Sequence, residues 1–335
     1  MELQFSFIIP VFNRPNEIDE LLHSFCSLIT EESYEIVIVE DGSTIPSNKI
    51  IEGYSERLNI TYLVKTNTGP GDSRNYGMRH AQGNYFIILD SDCILPPEYL
   101  KAVGVYLSKK YIHCFGGPDA AHESFNSLQK AINFSMTSFI TTGGIRGNKT
   151  QIDKFQPRSF NMGLSKEAFL KTGGFGNIHP GEDPDLTIRL WNLGYETALI
   201  SEAFVYHKRR ISWAKFYKQV SKFGSVRPIL NMWHPETKKI TYWFPSVFIF
   251  GWVLALILTG FDYYQLLAAY ILYFVLLFFV ALISTRNVII AFQSIFATII
   301  QFTGYGFGFI KSIIILKFSN KKPEERFPDL FFKNK

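Results

Sequence analysis

Cysteine is scarce in this chain: 335 residues hold three, Cys26, Cys93 and Cys114. Their spacing matches no zinc motif, and an odd count argues against a disulfide framework, so a reduced, cytoplasmic soluble part is expected. Charge of one sign is not in excess either, since 34 Lys and Arg against 29 Asp and Glu leave a formal +5. No basic stripe accompanies a groove-entering motif, which excludes a nucleic-acid partner from the expected classes. Residues 1–4 show no basic region leading into an apolar core, so no secretory signal is predicted. Internal repeats and low-complexity tracts are missing as well.

Charge is absent from two long apolar runs, residues 243–259 and 266–283. Each approaches the ~20 apolar residues that cross a bilayer. A third stretch, 288–316, is long but carries Gln293, Gln301 and the glycines Gly304, Gly306 and Gly308. Basic residues flank this region: His207-Lys208-Arg209-Arg210, Lys238-Lys239 and residues 317–322. That placement points to a membrane surface. The chain therefore divides into a domain of mixed polar and apolar sequence at 1–235, a membrane region at 236–316 and a basic tail at 317–335.

A multi-pass protein of the inner or plasma membrane, with its N-terminal domain cytoplasmic, puts the loop at 261–264 outside; that loop has no Lys or Arg. A third full crossing would then expose the basic tail outside, against the charge bias. A re-entrant or interfacial third stretch with a cytoplasmic tail is the favoured expectation. Near 212–224, Trp213, Phe216, Tyr217 and Val220 share a helical face, with Lys215, Lys218 and Lys222 between them. Such a face suits a bilayer surface or packing against the catalytic domain, and the pattern leaves both open.

The first 240 residues mix polar and apolar positions. Residues 5–11, 36–39, 60–64 and 85–89 read as buried strands, alternating with helical patterns at 17–28 and 73–80. This alternation predicts an α/β fold with a mostly parallel sheet covered on both faces. Ligands of such sheets bind beyond the carboxyl ends of the strands. Those ends carry Asn13, Asp41 and Asp90-Ser91-Asp92.

Asp90 and Asp92, one residue apart at a strand end, suit a hard divalent cation and the oxygens of a diphosphate; an Asp-capped turn explains them equally well. Asp41, followed by Gly42, can accept hydrogen bonds from a base or ribose, or form an ordinary Asp-Gly turn. Arg74 offers a planar fork to a nucleotide, or a salt bridge within the fold. Gly181-Glu182-Asp183-Pro184-Asp185 precedes an apolar face of Leu186, Leu190 and Leu193, with Gly194 placed to end the helix. Asp183 is expected at the N-cap, and as a general base it would contribute about 10²–10⁴-fold in rate.

Taken together these residues resemble the inverting glycosyltransferase family 2, with its GT-A fold, over roughly residues 5–225. The opening strand (Phe7 through Asn13), the Asp41 strand end, the Gly69-through-Gly77 loop and helix, the Asp90-Ser91-Asp92 metal motif and the Glu182-Asp183 motif occur in the family's order. The resemblance implies a nucleotide-sugar site lined by Pro10, Val11, Asn13, Asp41, Arg74, Asp90 and Ser91. It implies Asn161, Gly181 and Glu182 at the acceptor or donor sugar, Asp183 as the base, and Mn2+ or Mg2+ at Asp92 with His207. Glu40 departs from the Asp common in the family.

Processive synthases of the family carry QxxRW after the catalytic acid; here Gln219 is kept, while Lys222 and Phe223 replace Arg and Trp. Transfer of a single sugar, from a UDP-sugar in first place, to a lipid-linked or other membrane acceptor is the expected function. A processive polysaccharide synthase and a catalytically silent membrane scaffold are the alternatives. Loops around 141–158 are expected to sense the donor sugar.

Overall fold

The computed structural model describes residues 2–120, 125–142, 154–207 and 212–332. Arg209 and Arg210, and residues 143–153 of the expected donor-sensing loop, lie outside them. In chain order the first part runs β1 (Phe5–Val11), α1 (Pro15–Phe25), β2 (Tyr34–Asp41), α2 (Asn48–Glu52), β3 (Ile60–Lys65), α3 (Pro70–His80), β4 (Tyr85–Leu89), β5 (Cys93–Ile94) and α4 (Tyr99–Lys109). Then come β6 (Cys114–Gly116), β7 (Asp119–Ala120), α5 (Ser127–Thr137), α6 (Phe139–Thr142), β8 (Asn161–Ser165), α7 (Lys166–Thr172), α8 (Glu182–Asn192), β9 (Thr197–Leu199) and β10 (Val205–His207). Four long helices follow: α9 (Trp213–Trp233), α10 (Phe244–Thr259), α11 (Gln265–Thr285) and α12 (Val288–Lys317).

The chain forms two compact units, one drawn from Met1–His122, Lys149–Lys208 and Phe331–Lys335, the other from Glu123–Asn148 and Arg209–Leu330. The first holds, among the described residues, a seven-stranded sheet of order β3-β2-β1-β4-β8-β6-β9 and a small sheet β5-β10-β7. Strands β3, β2, β1 and β4 run parallel, as the alternating pattern predicts, while β8 is antiparallel to both β4 and β6. β1 and β4 read as unbroken apolar runs because both faces of the sheet are covered. Phe7, Ile9, Ile87 and Leu89 pack one face; Ile8, Phe86 and Ile88 pack the other. Each such burial contributes about 1.5–3 kcal/mol. Strand order reverses at β1/β4, which brings the ends of β1, β2 and β4 to one edge.

The second unit is helical. α9 and α12 pack along a seam of small residues: Gly224 lies against the Tyr305 backbone, and Ser312 Oγ donates to Ser225 O at 2.7 Å. Phe216 and Val220, candidates for a bilayer-facing surface, are 0% and 2% exposed and pack with Ile132, Met136 and Ala297. Tyr217 on the same face of α9 is 42% exposed. Three helices, Ile240–Thr259, Gln265–Thr285 and Val288–Lys317, are long and apolar enough to cross a membrane. The last has 30 residues, which at the α-helical rise is about 45 Å, longer than a bilayer core of about 30 Å.

Candidate active site

β1 ends at Val11, whose side chain is in the core, and Asn13 follows with φ 54°. The Asn13 Oδ1 accepts from the Thr44 and Ile45 N–H groups at 2.8 and 3.0 Å, tying the end of β1 to the turn after β2. Asp41, at the end of β2, accepts from Lys65 Nζ (2.7 Å) and from the N–H groups of Thr68 (3.0 Å) and Gly69 (2.9 Å). A carboxylate has about four lone-pair sites, so one acceptor position remains after these three bonds. Glu40, where the family pattern favours Asp, is 1% exposed and accepts from Ser47 N–H, Tyr62 Oη–H and Ser43 Oγ–H. Its work is to brace the turn.

Arg74, on α3, is 3% exposed and joins two acidic clusters. One guanidinium nitrogen lies 2.7 Å from Asp90 Oδ1 and another 3.1 Å from Glu182 Oε1. Burial alone would lower its pKa, but the charges of Asp90 and Glu182 outweigh that and raise it. Arg74 is thus a fixed cation between the turn after β4 and the start of α8.

The metal-type cluster forms where β4 ends and β10 returns. His207 Nε2 lies 3.2 Å from Asp92 Oδ1 and 3.9 Å from Asp90 Oδ2, and its ring stacks on Phe160. Burial pushes the Asp92 carboxyl up, yet His207 and Arg14 more than offset this and hold it well below the usual range. Arg14, which no sequence motif marks, pairs with Asp92 Oδ2. Asp92, Cys93 and His207 place ligand atoms within 4.8 Å of one another. Burial raises the pKa of the Cys93 thiol, which donates to Phe160 O at 3.4 Å. The Asp92 carboxylate and the His207 imidazole make a donor set that fits a divalent cation such as Mn2+ or Mg2+.

At α8 the expected cap moves. Gly181, with φ 121°, occupies the N-cap, the helix starts at Glu182, and Asp183 lies inside the first turn. Pro184 still falls in that turn, where a missing N–H costs nothing. Asp183 is half-buried, and its solvent-shielded Oδ1 has no hydrogen-bond partner among the described residues. Burial, followed by the charge of neighbouring Glu182, raises its pKa. For Glu182 burial is outweighed by His179 and Arg74, which bring its carboxyl down to about 2. His179 Nδ1 sits 2.9 Å from Glu182 Oε1 and was another residue without a readable signal.

Asn161 departs from expectation. It is 0% exposed, accepts from Tyr99 Oη–H at 2.6 Å and donates to Ala203 O at 2.8 Å. Its amide is spent on holding β8 in the sheet core, so it does not face a sugar.

Residues 6–172 match the model of Glycosyl transferase family 2. This chain carries a glycosyltransferase family 2 domain. Over 112 residues it is 31% identical to poly(ribitol-phosphate) beta-N-acetylglucosaminyltransferase TarS of Staphylococcus aureus, covering 32% of this chain and 20% of that protein. It is 25% identical over 231 residues to the probable glycosyltransferase YdaM of Bacillus subtilis, covering 65% of this chain and 54% of the relative. The chain thus spans a fifth and about half of the lengths of these two curated relatives. Among solved structures, the mannosyltransferase PcManGT from Pyrobaculum calidifontis, in complex with GDP-Man and Mn2+, superposes with TM-score 0.59 at 15% identity. That match covers 93% of this chain and 88% of the other. It shows a shared fold, the GT-A arrangement of a mostly parallel sheet followed by helices.

Proposed function

We propose that this family 2 domain transfers one sugar from a nucleotide-diphosphate sugar to a membrane-associated acceptor, with inversion at the anomeric carbon. The observation that carries the reading is the single chain of contacts Asp92–His207–Asp90–Arg74–Glu182 beside the Asp183 carboxylate, whose Oδ1 is shielded from solvent. It supports a cation site on one side of the Arg74 guanidinium and a base on the other.

Asp41 offers its remaining lone pair to the base or ribose, with the 68–69 turn held rigid behind it. Arg74 holds Asp90 and Glu182 in place and supplies positive charge near the diphosphate. Asp183 takes the proton of the acceptor hydroxyl as that oxygen forms a bond to the anomeric carbon. The bond from that carbon to the diphosphate oxygen breaks on the opposite face, and the diphosphate leaves with the electron pair. Asp92 and His207 would hold Mn2+ or Mg2+, whose chemistry is to neutralise charge on the leaving diphosphate. GDP-Man and Mn2+ bound by the mannosyltransferase support a nucleotide-sugar donor with a metal, and a UDP-sugar is the first choice to test.

Three membrane-capable helices support a membrane acceptor, such as a lipid-linked glycan, at the inner or plasma membrane. Phe331 pairs with Ile178 of the catalytic unit, which supports an even number of crossings between them. We assign the crossings to α10 and α11, the runs without charge. Lys222 in place of arginine supports single-sugar transfer, since lysine lacks the bidentate fork.

The test is a panel of nucleotide sugars with the full-length protein, read as metal-dependent hydrolysis or transfer. Asp183→Asn should lose about 10²–10⁴-fold in kcat; a near wild-type rate would remove Asp183 as the base. Indifference to chelator would reject the metal.

A further inference from the structure

After residues 212–330 the chain comes back to the catalytic unit. Phe331 forms an antiparallel bridge with Ile178, and the Phe332 N–H donates to Asn177 O at 3.0 Å. The Phe332 ring lies directly over Gly69: a Cβ built there would sit 2.2, 2.3 and 2.6 Å from three ring carbons. Gly69 has φ 94°, caps α3 and gives its N–H to Asp41. Only glycine leaves room for the ring at this turn. The ring also faces His179, with centroids 6.0 Å apart, and His179 in turn binds Glu182.

One aromatic ring therefore touches both the turn that starts the Arg74 helix and the turn that leads to Asp183. The segment between α7 and α8 belongs to neither helix and needs external anchors. Asn75 supplies one, donating to Phe175 O and accepting from Phe175 N–H, each at 2.8 Å. Residues 331–332 supply the next, at Asn177 and Ile178. No part of the proposed chemistry uses this strap.

We propose that Phe332 is a positioning residue of the active site. With Phe331 it straps the 175–183 segment onto the Gly69 turn and so keeps Asp183 in register with Arg74 and the donor. This rests on the sugar-transfer reading. A base displaced by about 1 Å can cost roughly 10²-fold, so the strap acts on turnover more than on donor affinity, for which Asp41 organises the turn by its own bonds.

The experiment compares full-length wild type, Phe332→Ala and Phe332→Tyr in nanodiscs, by transfer kinetics, nucleoside-diphosphate binding and backbone hydrogen exchange. In Phe332→Ala, kcat falls about 10-fold or more, with diphosphate affinity changed by less than about threefold. Phe332→Tyr, which keeps the ring, recovers kcat to within about twofold, and exchange across 175–183 quickens only in the Ala variant. Wild-type kcat in Phe332→Ala, or an equal loss in both variants, overturns the proposal. If the wild type itself transfers no sugar, the functional reading falls and exchange alone decides the strap: faster exchange in Phe332→Ala supports it, unchanged exchange rejects it.

Discussion

His207 Nε2 lies 3.2 Å from Asp92 Oδ1, so the last residue of β10 completes the turn that follows β4. Arg14 claims the other Asp92 oxygen. Two cationic or cation-competing groups thus share one carboxylate, and a divalent ion must contend with the second. His207→Ala should weaken Mn2+ binding by about 10-fold or more, whereas Arg14→Gln should tighten it, because a like charge and a rival for Asp92 are both removed. Mn2+ titration followed by electron paramagnetic resonance reads both without any need for turnover; tighter binding in His207→Ala would be incompatible with ligation.

As the proposed base, Asp183 must be ionised to accept a proton, so the acid limb of kcat/KM should follow its pKa. Burial and the Glu182 charge raise that pKa above the ordinary aspartate value. Glu182→Gln removes a neighbouring negative charge, and the acid limb should move to lower pH, along with a fall in rate from the loosened Arg74. A limb that stays put or moves upward would show that the Glu182 charge does not act on the base.

The His179–Glu182 pair makes a pH-dependent contribution to stability. Burial lowers the His179 pKa, but Glu182 more than compensates and the net shift is upward. A raised folded-state pKa means that the contribution is complete below the unfolded value of about 6.5 and disappears as pH rises through the folded value. Thermal unfolding of wild type and His179→Gln should differ most at about pH 5.5–6 and converge at alkaline pH. A gap that widens with pH would reverse the assignment.

Gly224 of α9 meets backbone, not side chain: a Cβ there would lie 2.1 Å from the Tyr305 carbonyl oxygen. Backbone cannot rotate aside, so Gly224→Ala should force α9 and α12 apart and cost about 1–3 kcal/mol. Detergent-solubilised thermal scans would detect that loss, and an unchanged midpoint would mean the seam is looser than its spacing.

Even crossing predicts sidedness. Cys26 is an exposed native cysteine on the catalytic unit and serves as the reference. In sealed vesicles a cysteine at Asn320 should label from the same side as Cys26, and one at Asp262 from the opposite side. Labelling of Asn320 with Asp262 would instead place α12 across the bilayer.

Much of the catalytic unit was readable because its strands are short apolar runs stopped by turn residues. Residues 5–11 and 85–89 coincide with β1 and β4 for that reason. The α8 cap was misplaced by two residues, since Gly181 in a left-handed conformation outcompetes a side-chain cap that pattern alone favours. For Asn161 the family resemblance implies a sugar contact; in the fold Tyr99 and Ala203 satisfy its amide inside the core.

The sequence by itself determined the strands, the acidic residues at their ends and the uncharged runs, all of which report local periodicity and composition. Tertiary structure alone decided that Arg14 meets Asp92, that His179 meets Glu182, that Phe216 is covered and that Phe332 returns to Gly69. Those pairings join residues distant along the chain, and their strength depends on separation in space and on exclusion of water, neither of which is written in the spacing of residues.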